Sequence, residues 1–177
     1  IADKQAREAF QESRQRIRSM AQIHEQLTHT QDLARIDMAA YVQELVSSLR
    51  IAYGREAVAF KMNVSEVTLP FDLVSPCGLL INELVSNAIK YAFPPAWLAS
   101  QPGQIGEIGI TLRPLVNAAQ KLELIISDNG VGLPAEIDLQ TPTTLGLTLV
   151  NLLVRQLKAD FELTHREGTT FRIVFTP

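Results

Sequence analysis

Apolar positions along the chain repeat with two different periods, and the switches between them divide it into elements. Over residues 2–28, Phe10, Ile17, Met20, Ile23 and Leu27 recur near helical spacing, opposite Lys4, Arg7, Glu12, Arg14, Gln15 and Arg18. That stripe predicts one amphipathic helix in need of a partner helix. Residues 28–36 read as a polar connection. Asp37 is suited to cap a second helix, Met38–Tyr53, with Tyr41, Val42, Leu45, Leu49 and Ala52 on its buried stripe and Gly54 at its end. Two short β-prone runs follow, 58–64 and 67–69, parted by Ser65 and Glu66. A third helix is almost wholly apolar, carrying Leu79, Leu80, Leu84, Val85, Ala88 and Ile89. Asp72 is a candidate cap for it. Its regular part is expected near Ser75, with Pro76 in the first turn, and Pro94-Pro95 stops it around residues 91–93. The stretch holding Trp97, Pro102 and Gly103 has the composition of a mobile surface loop. Residues 107–115 and 121–128 predict a β-hairpin whose second run is apolar enough to be a central strand. Residues 145–157 read as a helix, and 160–165 with 169–175 as a closing hairpin around Arg166, Glu167 and Gly168. The order α-α-β-β-α-β-β-α-β-β predicts an α+β fold. It is a two-layer sandwich of a mixed, mostly antiparallel sheet with helices on one face, preceded by an amphipathic helical leader.

Bulk properties narrow the function classes. The chain has 177 residues, enough for one domain with a sizeable core plus an appendage. A formal net charge of -3 gives no electrostatic case for nucleic acid as a partner. Cys77 is the one cysteine, which removes an intrachain disulfide and any cysteine-rich zinc site; within its apolar run it reads as an inert core thiol. No apolar run approaches the roughly 20 residues of a membrane span, and no signal-peptide pattern is present. The chain enters a charged helix directly after Ile1, so it reads as a fragment of something longer, compatible with a membrane-anchored parent. His24, beside Glu25, fits a helix-surface or interface histidine, and His29 a solvent-facing turn.

Three stretches carry candidate chemistry. On the apolar helix, Glu83, Asn87 and Lys90 fall within a narrow arc at helical pitch. A carboxylate, a carboxamide and an ammonium in line on a buried helix suit a phosphate chain with a divalent cation, although such polar pairs also occur as ordinary helix surface. Next, Asp128-Asn129-Gly130-Val131-Gly132 ends the predicted central strand. It serves as a plain tight turn, or it offers Asp128 as acceptor for an exocyclic amine with Gly130 and Gly132 admitting a base and ribose. Last, Thr144-Leu145-Gly146-Leu147 opens a helix. It is either a capped N-terminus or one whose N–H groups hold phosphate.

Taken together and in this order, these stretches resemble the catalytic ATP-binding domain of sensor histidine kinases, members of the GHKL superfamily that includes gyrase and chaperone ATPases. Residues 82–90 are similar to its N box, 128–132 to its G1 box, 144–147 to its G2 box, and Gly168-Thr169 to its terminal adenine-side motif. The likeness spans residues 71–175. The leader, 16–27 with 36–42, is similar to the second dimerisation helix and linker of the short-lid branch related to HWE-type kinases. The resemblance implies a helical leader at 1–36 and a catalytic domain at 37–177. It implies ATP and Mg2+ as cofactors and phosphoryl transfer to a histidine on a preceding helix outside these residues, His24 matching a second-helix position and not the acceptor. It implies Asn87 as metal ligand, Lys90 on phosphate, Glu83 as catalytic base or orienter, and Asp128 with Thr169 on adenine. Tyr91, Gly130, Gly132, Thr144, Leu145, Gly146 and Leu147 complete the implied nucleotide site. It implies a homodimer through the helical hairpin, an upstream PAS or GAF sensor domain, a response regulator receiver domain as partner, and a cytoplasmic location. Thr144 stands where many kinases have glycine, Tyr91 where this branch often has histidine, and the segment between Gly132 and Thr144 is short. Two alternatives remain open from the residues: a nucleotide-gated interaction module, and an ATPase using Glu83 to activate water.

Overall fold

A computed structural model describes Ala21 and residues 35–54, 58–101, 103–116, 118, 120–134, 144–165 and 167–177. The predicted leader helix with His24 and His29, and most of the segment between Gly132 and Thr144, lie outside the described residues. Strands β1 (Ile36–Asp37) and β3 (Thr68–Leu69) pair antiparallel as a two-stranded ribbon. Between them come α1 (Met38–Tyr53) and β2 (Val58–Val64). Helix α2 (Phe71–Asn87) runs into a π-helical turn (Ala88–Ala92), and a short helix α3 (Pro95–Ser100) follows. The remainder is β4 (Gly106–Pro114), β5 (Leu122–Asp128), α4 (Leu145–Gln156), β6 (Asp160–Thr164) and β7 (Thr169–Phe175).

The main sheet has five strands in the order β2-β4-β5-β7-β6. β2 and β4 are parallel, because α2 crosses over between them, and the other three pairings are antiparallel. The expected α+β class, mixed sheet and central position of β5 are therefore found. Alternation decides the faces. Ile108, Ile110, Leu112, Leu124, Ile126, Phe171, Ile173 and Phe175 are buried in the core, while Thr111, Arg113, Ser127 and Arg172 occupy the opposite face. α2 lies between α1 and α4, in contact with both. α1 contributes Met38, Tyr41, Val42, Leu45, Val46 and Leu49 to the core. Asp37 caps it as expected, its Oδ1 accepting from the Ala39 N–H at 2.8 Å. Gly54 ends it in the left-handed conformation, φ 57°. Ala52, expected on the buried stripe, is exposed, and Val46 takes the core position instead. Cys77 is buried and desolvation pushes its thiol up to about 12, the inert core group expected. No helix among the described residues is long and apolar enough to cross a membrane.

Several element boundaries differ from expectation. α2 begins at Phe71 and not near Ser75, so Pro76 lies inside it. Asp72 is not the cap. Pro70 holds that position, and its carbonyl accepts from the Leu73 and Val74 N–H groups at 3.0 and 3.1 Å. The missing Pro76 N–H leaves one helical hydrogen bond unmade, a local defect that a deeply buried helix tolerates. Gly78 belongs to the same packing, because a Cβ there would overlap the Tyr41 hydroxyl of α1. The stretch after Pro94 is not a surface loop. Pro95 sits in the first turn of α3, where its lost N–H costs nothing, and Trp97 is buried edge-on against Phe93 with centroids 5.2 Å apart. Ile36, read as part of a polar connection, is a buried strand residue.

Candidate functional site

α2 delivers its polar residues on a gradient of depth. Glu83 is 2% exposed, whereas Asn87 and Lys90 are half-buried. Buried Glu83 and Ser86 share one turn, the Ser86 hydroxyl donating to the Glu83 carbonyl at 3.1 Å. The last turn is π-helical from Ala88 to Ala92, a distortion typical of functional positions. Lys90 and Tyr91 lie in this turn, so the regular α-helical pitch that set the expected arc of Glu83, Asn87 and Lys90 runs only as far as Asn87. The Lys90 ammonium lies 5.7 Å from the centre of the Tyr53 ring, at the end of α1. Tyr91 is 62% exposed.

The π turn is tied to the turn after β5. The Val131 N–H donates to the Ala92 carbonyl at 2.9 Å, and a Cβ on Gly130 would overlap that same carbonyl. Glycine at 130 thus has a packing cause: two backbones meet there. Asp128, at the end of β5, is the hinge of the turn. Its Oδ1 accepts from the Gly130 N–H at 2.9 Å and the Thr169 N–H at 3.3 Å. Gly168 has φ 85°, and a Cβ on it would overlap the Asp128 carbonyl, so the β6–β7 hairpin presses directly on the turn. Gly132 (φ 75°) reaches the Gly168 carbonyl region on the other side. Asn129, read from the sequence only as a turn former, clamps the turn to β4. Its Oδ1 accepts from the Glu107 N–H at 2.7 Å and its Nδ2 donates to the Ile105 carbonyl at 3.2 Å. The Asn-Gly pair was the signal, but the clamp partners are more than twenty residues distant in sequence and could not be read from it.

Burial pushes the Asp128 carboxyl above the usual aspartate range, and the hydrogen bonds from the Gly130 N–H and the Thr169 hydroxyl and N–H only partly offset this. Among the described residues no cation pairs with it. An ionised carboxylate accepts about four hydrogen bonds. Three donors leave acceptor capacity at a half-buried position, suited to a ligand N–H.

The third stretch sits at the start of α4, which packs against α2. Thr144 is its N-cap: Oγ1 accepts from the Leu147 N–H at 3.3 Å, and its carbonyl accepts from the Thr148 N–H and hydroxyl. The threonine therefore satisfies internally one of the N-terminal donors otherwise open to a phosphate, leaving those of Leu145 and Gly146. Leu145 is 65% exposed, while Gly146 and Leu147 are buried. The structure thus brings Asp128, Gly130, Gly132 and Thr169 together with the end of the helix carrying Glu83, Asn87, Lys90 and Tyr91.

This arrangement of an apolar helix, an Asp-Asn-Gly turn and a closing hairpin has a known counterpart. Residues 74–177 match the model of the histidine kinase-, DNA gyrase B-, and HSP90-like ATPases. The chain belongs to this ATPase family. Residues 1–53 match a second model, described as histidine kinase. A histidine kinase segment is therefore followed along the chain by an ATPase-family domain. Sensor histidine kinase PdtaS of Mycobacterium tuberculosis is 30% identical over 155 residues, 85% of this chain and 28% of that protein. Blue-light-activated histidine kinase 2 of Erythrobacter litoralis is 28% identical over 134 residues, 76% of this chain and 36% of that protein. The chain spans about a third of the length of these relatives. Among solved structures, the histidine kinase domain of an Erythrobacter litoralis blue-light-activated kinase superposes with a TM-score of 0.68 at 25% identity. The match covers 80% of this chain and 61% of that one. A member of this ATPase family is an ATP-binding domain.

Proposed function

We propose that the chain is the ATP-dependent phosphoryl-transfer core of a two-component sensor, phosphorylating a histidine on a hairpin helix outside these 177 residues. One observation carries the reading: the Val131–Ala92 hydrogen bond, which joins an adenine-type acceptor, Asp128, to the helix end that bears Asn87 and Lys90. A base on Asp128 and a phosphate chain along Asn87 and Lys90 then belong to one ligand. Asp128 accepts from the adenine amine, helped by Thr169. Lys90 contacts phosphate as a point charge. Gly130, Gly132 and Tyr91 line the nucleotide, and the N–H groups of Leu145 and Gly146 face phosphate at a capped N-terminus completed by Thr144 and Leu147. Glu83 orients or deprotonates the acceptor imidazole.

Magnesium fits the donor set. Among the described residues no group of three or more His, Cys, Asp or Glu side chains is placed to hold a metal. Asn87 offers one neutral oxygen, which suits a cation that keeps waters and phosphate oxygens as its other ligands. Held by Asn87 together with the nucleotide, such a cation would supply charge neutralisation at the phosphates. The chain's own share is positioning and charge stabilisation. We place the domain boundary at 36/37, which keeps α1 with the catalytic domain, to whose core it contributes Met38, Tyr41, Val42, Leu45, Val46 and Leu49. Residues 1–36 we assign to the second helix of a dimerisation hairpin and its linker. In the full protein we infer a homodimer through that hairpin, an upstream sensor domain, a receiver-domain partner, and a cytoplasmic kinase core.

Two measurements test this. Asn87→Ala should weaken Mg2+-dependent ATP binding by at least roughly 10–100-fold, the scale seen when a metal's support is removed; calorimetric titration giving wild-type affinity would overturn the metal assignment. Radiolabelled ATP mixed with the chain and a separately purified hairpin helix should leave acid-labile, base-stable label on that helix. Free phosphate with no labelled helix would point instead to an ATPase.

A further inference from the structure

We propose that Tyr53 is a positioning residue for the phosphate-binding lysine, its ring the platform that holds the Lys90 ammonium toward the nucleotide phosphates. The inference rests on the nucleotide reading of Lys90 above. The ammonium lies 5.7 Å from the Tyr53 ring centre, within range of cation–π attraction. Lys90 sits in the π turn, and its aliphatic stem is flexible. The ring beneath it is well anchored. Tyr53 is half-buried and packs against the core. It occupies the last residue of α1, a turn closed by the Gly54 N–H donating to the Arg50 carbonyl at 3.0 Å. One turn back, the Arg50 guanidinium lies 5.8 Å from the Phe60 ring of β2, pinning the helix end to the sheet edge. A rigid aromatic face under a flexible cation narrows the positions that cation samples before ligand arrives, which is preorganisation of a binding group. The contact also links α1 directly to the phosphate end of the site, so displacing that helix end would move the lysine.

Titration calorimetry of the whole chain with Mg·ATP and, separately, adenosine tests this in Tyr53→Leu, Tyr53→Phe, Tyr53→Trp, Lys90→Met and the Tyr53→Leu/Lys90→Met double variant. Tyr53→Leu should weaken Mg·ATP binding about two- to five-fold, the worth of a half-exposed cation–π contact, and leave adenosine binding unchanged. It should add nothing in the Lys90→Met background. Tyr53→Phe should retain wild-type affinity and Tyr53→Trp match or exceed it, so the aromatic variants rank the effect even if the leucine variant folds poorly. Three results would overturn the inference alone: wild-type ATP affinity in Tyr53→Leu while Lys90→Met is weakened, an equal loss for adenosine, or a Tyr53→Leu loss that persists without Lys90. Absence of Mg·ATP binding by the unaltered chain, or no effect of Lys90→Met, would sink the nucleotide reading and the inference with it.

Discussion

β5 carries two carboxylates, one near each end and on opposite faces of the sheet, and they live in opposite environments. Glu123 is on the face away from the helices, with its side chain 5% exposed, yet both of its oxygens are taken by cations. Arg172 Nε donates to Oε1 at 2.6 Å, and Arg113 Nε and Nη2 reach Oε2 at 2.8 Å. Arg172 continues to Glu162 at 3.0 Å, so the charges form a ladder across β4, β5, β7 and β6. Asp128 is on the helix face, bonded only to neutral donors of the neighbouring turn and strand. Burial pulls Glu123 upward, but the hydrogen bonds and charge of Arg172 and Arg113 outweigh it and hold its carboxyl below the usual range. For Asp128 burial wins and the carboxyl is held above it. A saturated carboxylate is a structural tie. One left with spare acceptor capacity and no cation is poised for a ligand, and that contrast separates the two more sharply than burial does.

The largest break in the contrast should come from Asp128→Asn. The amide oxygen can still accept from Gly130 and Thr169, so the turn survives, and at neutral pH stability is retained or modestly raised because the buried charge is gone. What is lost is a charged acceptor for the adenine amine, worth about 1.5–3 kcal/mol, or roughly ten- to hundred-fold in ATP affinity relative to GTP. Competition titrations with the two nucleotides measure it. An unaltered base preference would remove Asp128 from the adenine site.

A smaller and complementary effect is expected at Glu123. Glu123→Gln removes the charge between two guanidinium groups that remain partly solvated, with side-chain exposures of 51% for Arg113 and 34% for Arg172. Screening at that exposure limits the cost to about 1–2 kcal/mol of stability, read as a lower midpoint in urea unfolding. ATP affinity should be unchanged. A change in nucleotide binding with no change in midpoint would reverse the roles given to the two acids.

The contrast was half legible in the sequence. Asp128 was found because an Asp-Asn-Gly turn follows an apolar strand, and both facts are local. The central place of β5 and the helix-face alternation follow from the same periodicity, whereas the order of strands in the sheet does not. Glu123 sits in that strand too, but its partners are reached only by pairing β5 with β4 and β7, a register the sequence does not state. Likewise Tyr53 and Ala92 act through contacts between elements. The start of α2 was misplaced for a different reason: Pro76 obeys a local rule that burial of the surrounding helix overrides. The π turn has no simple sequence mark, and it is where Lys90 leaves regular α-helical winding.

The finest test is the pH dependence, because the two acids should respond with opposite sign. An unfolded carboxylate titrates at roughly 4. Asp128 has a raised folded value, so its contribution to stability is fully present below that unfolded value and is lost as pH rises through the raised one. Glu123 has a lowered folded value; its contribution is present above the unfolded value and is lost as pH falls through the lowered one. Stability differences between each variant and the wild type isolate the two groups. On acidification from neutral toward pH 3, the advantage of Asp128→Asn over wild type should shrink, while the deficit of Glu123→Gln should also shrink, so the two difference curves converge from opposite sides. Adenosine affinity of the wild type should fall over the Asp128 part of the range, because only the ionised carboxylate accepts freely from the amine, and in Asp128→Asn that part of the decline should vanish. Difference curves drifting the same way would mean that cation contact and burial do not set these two acids apart.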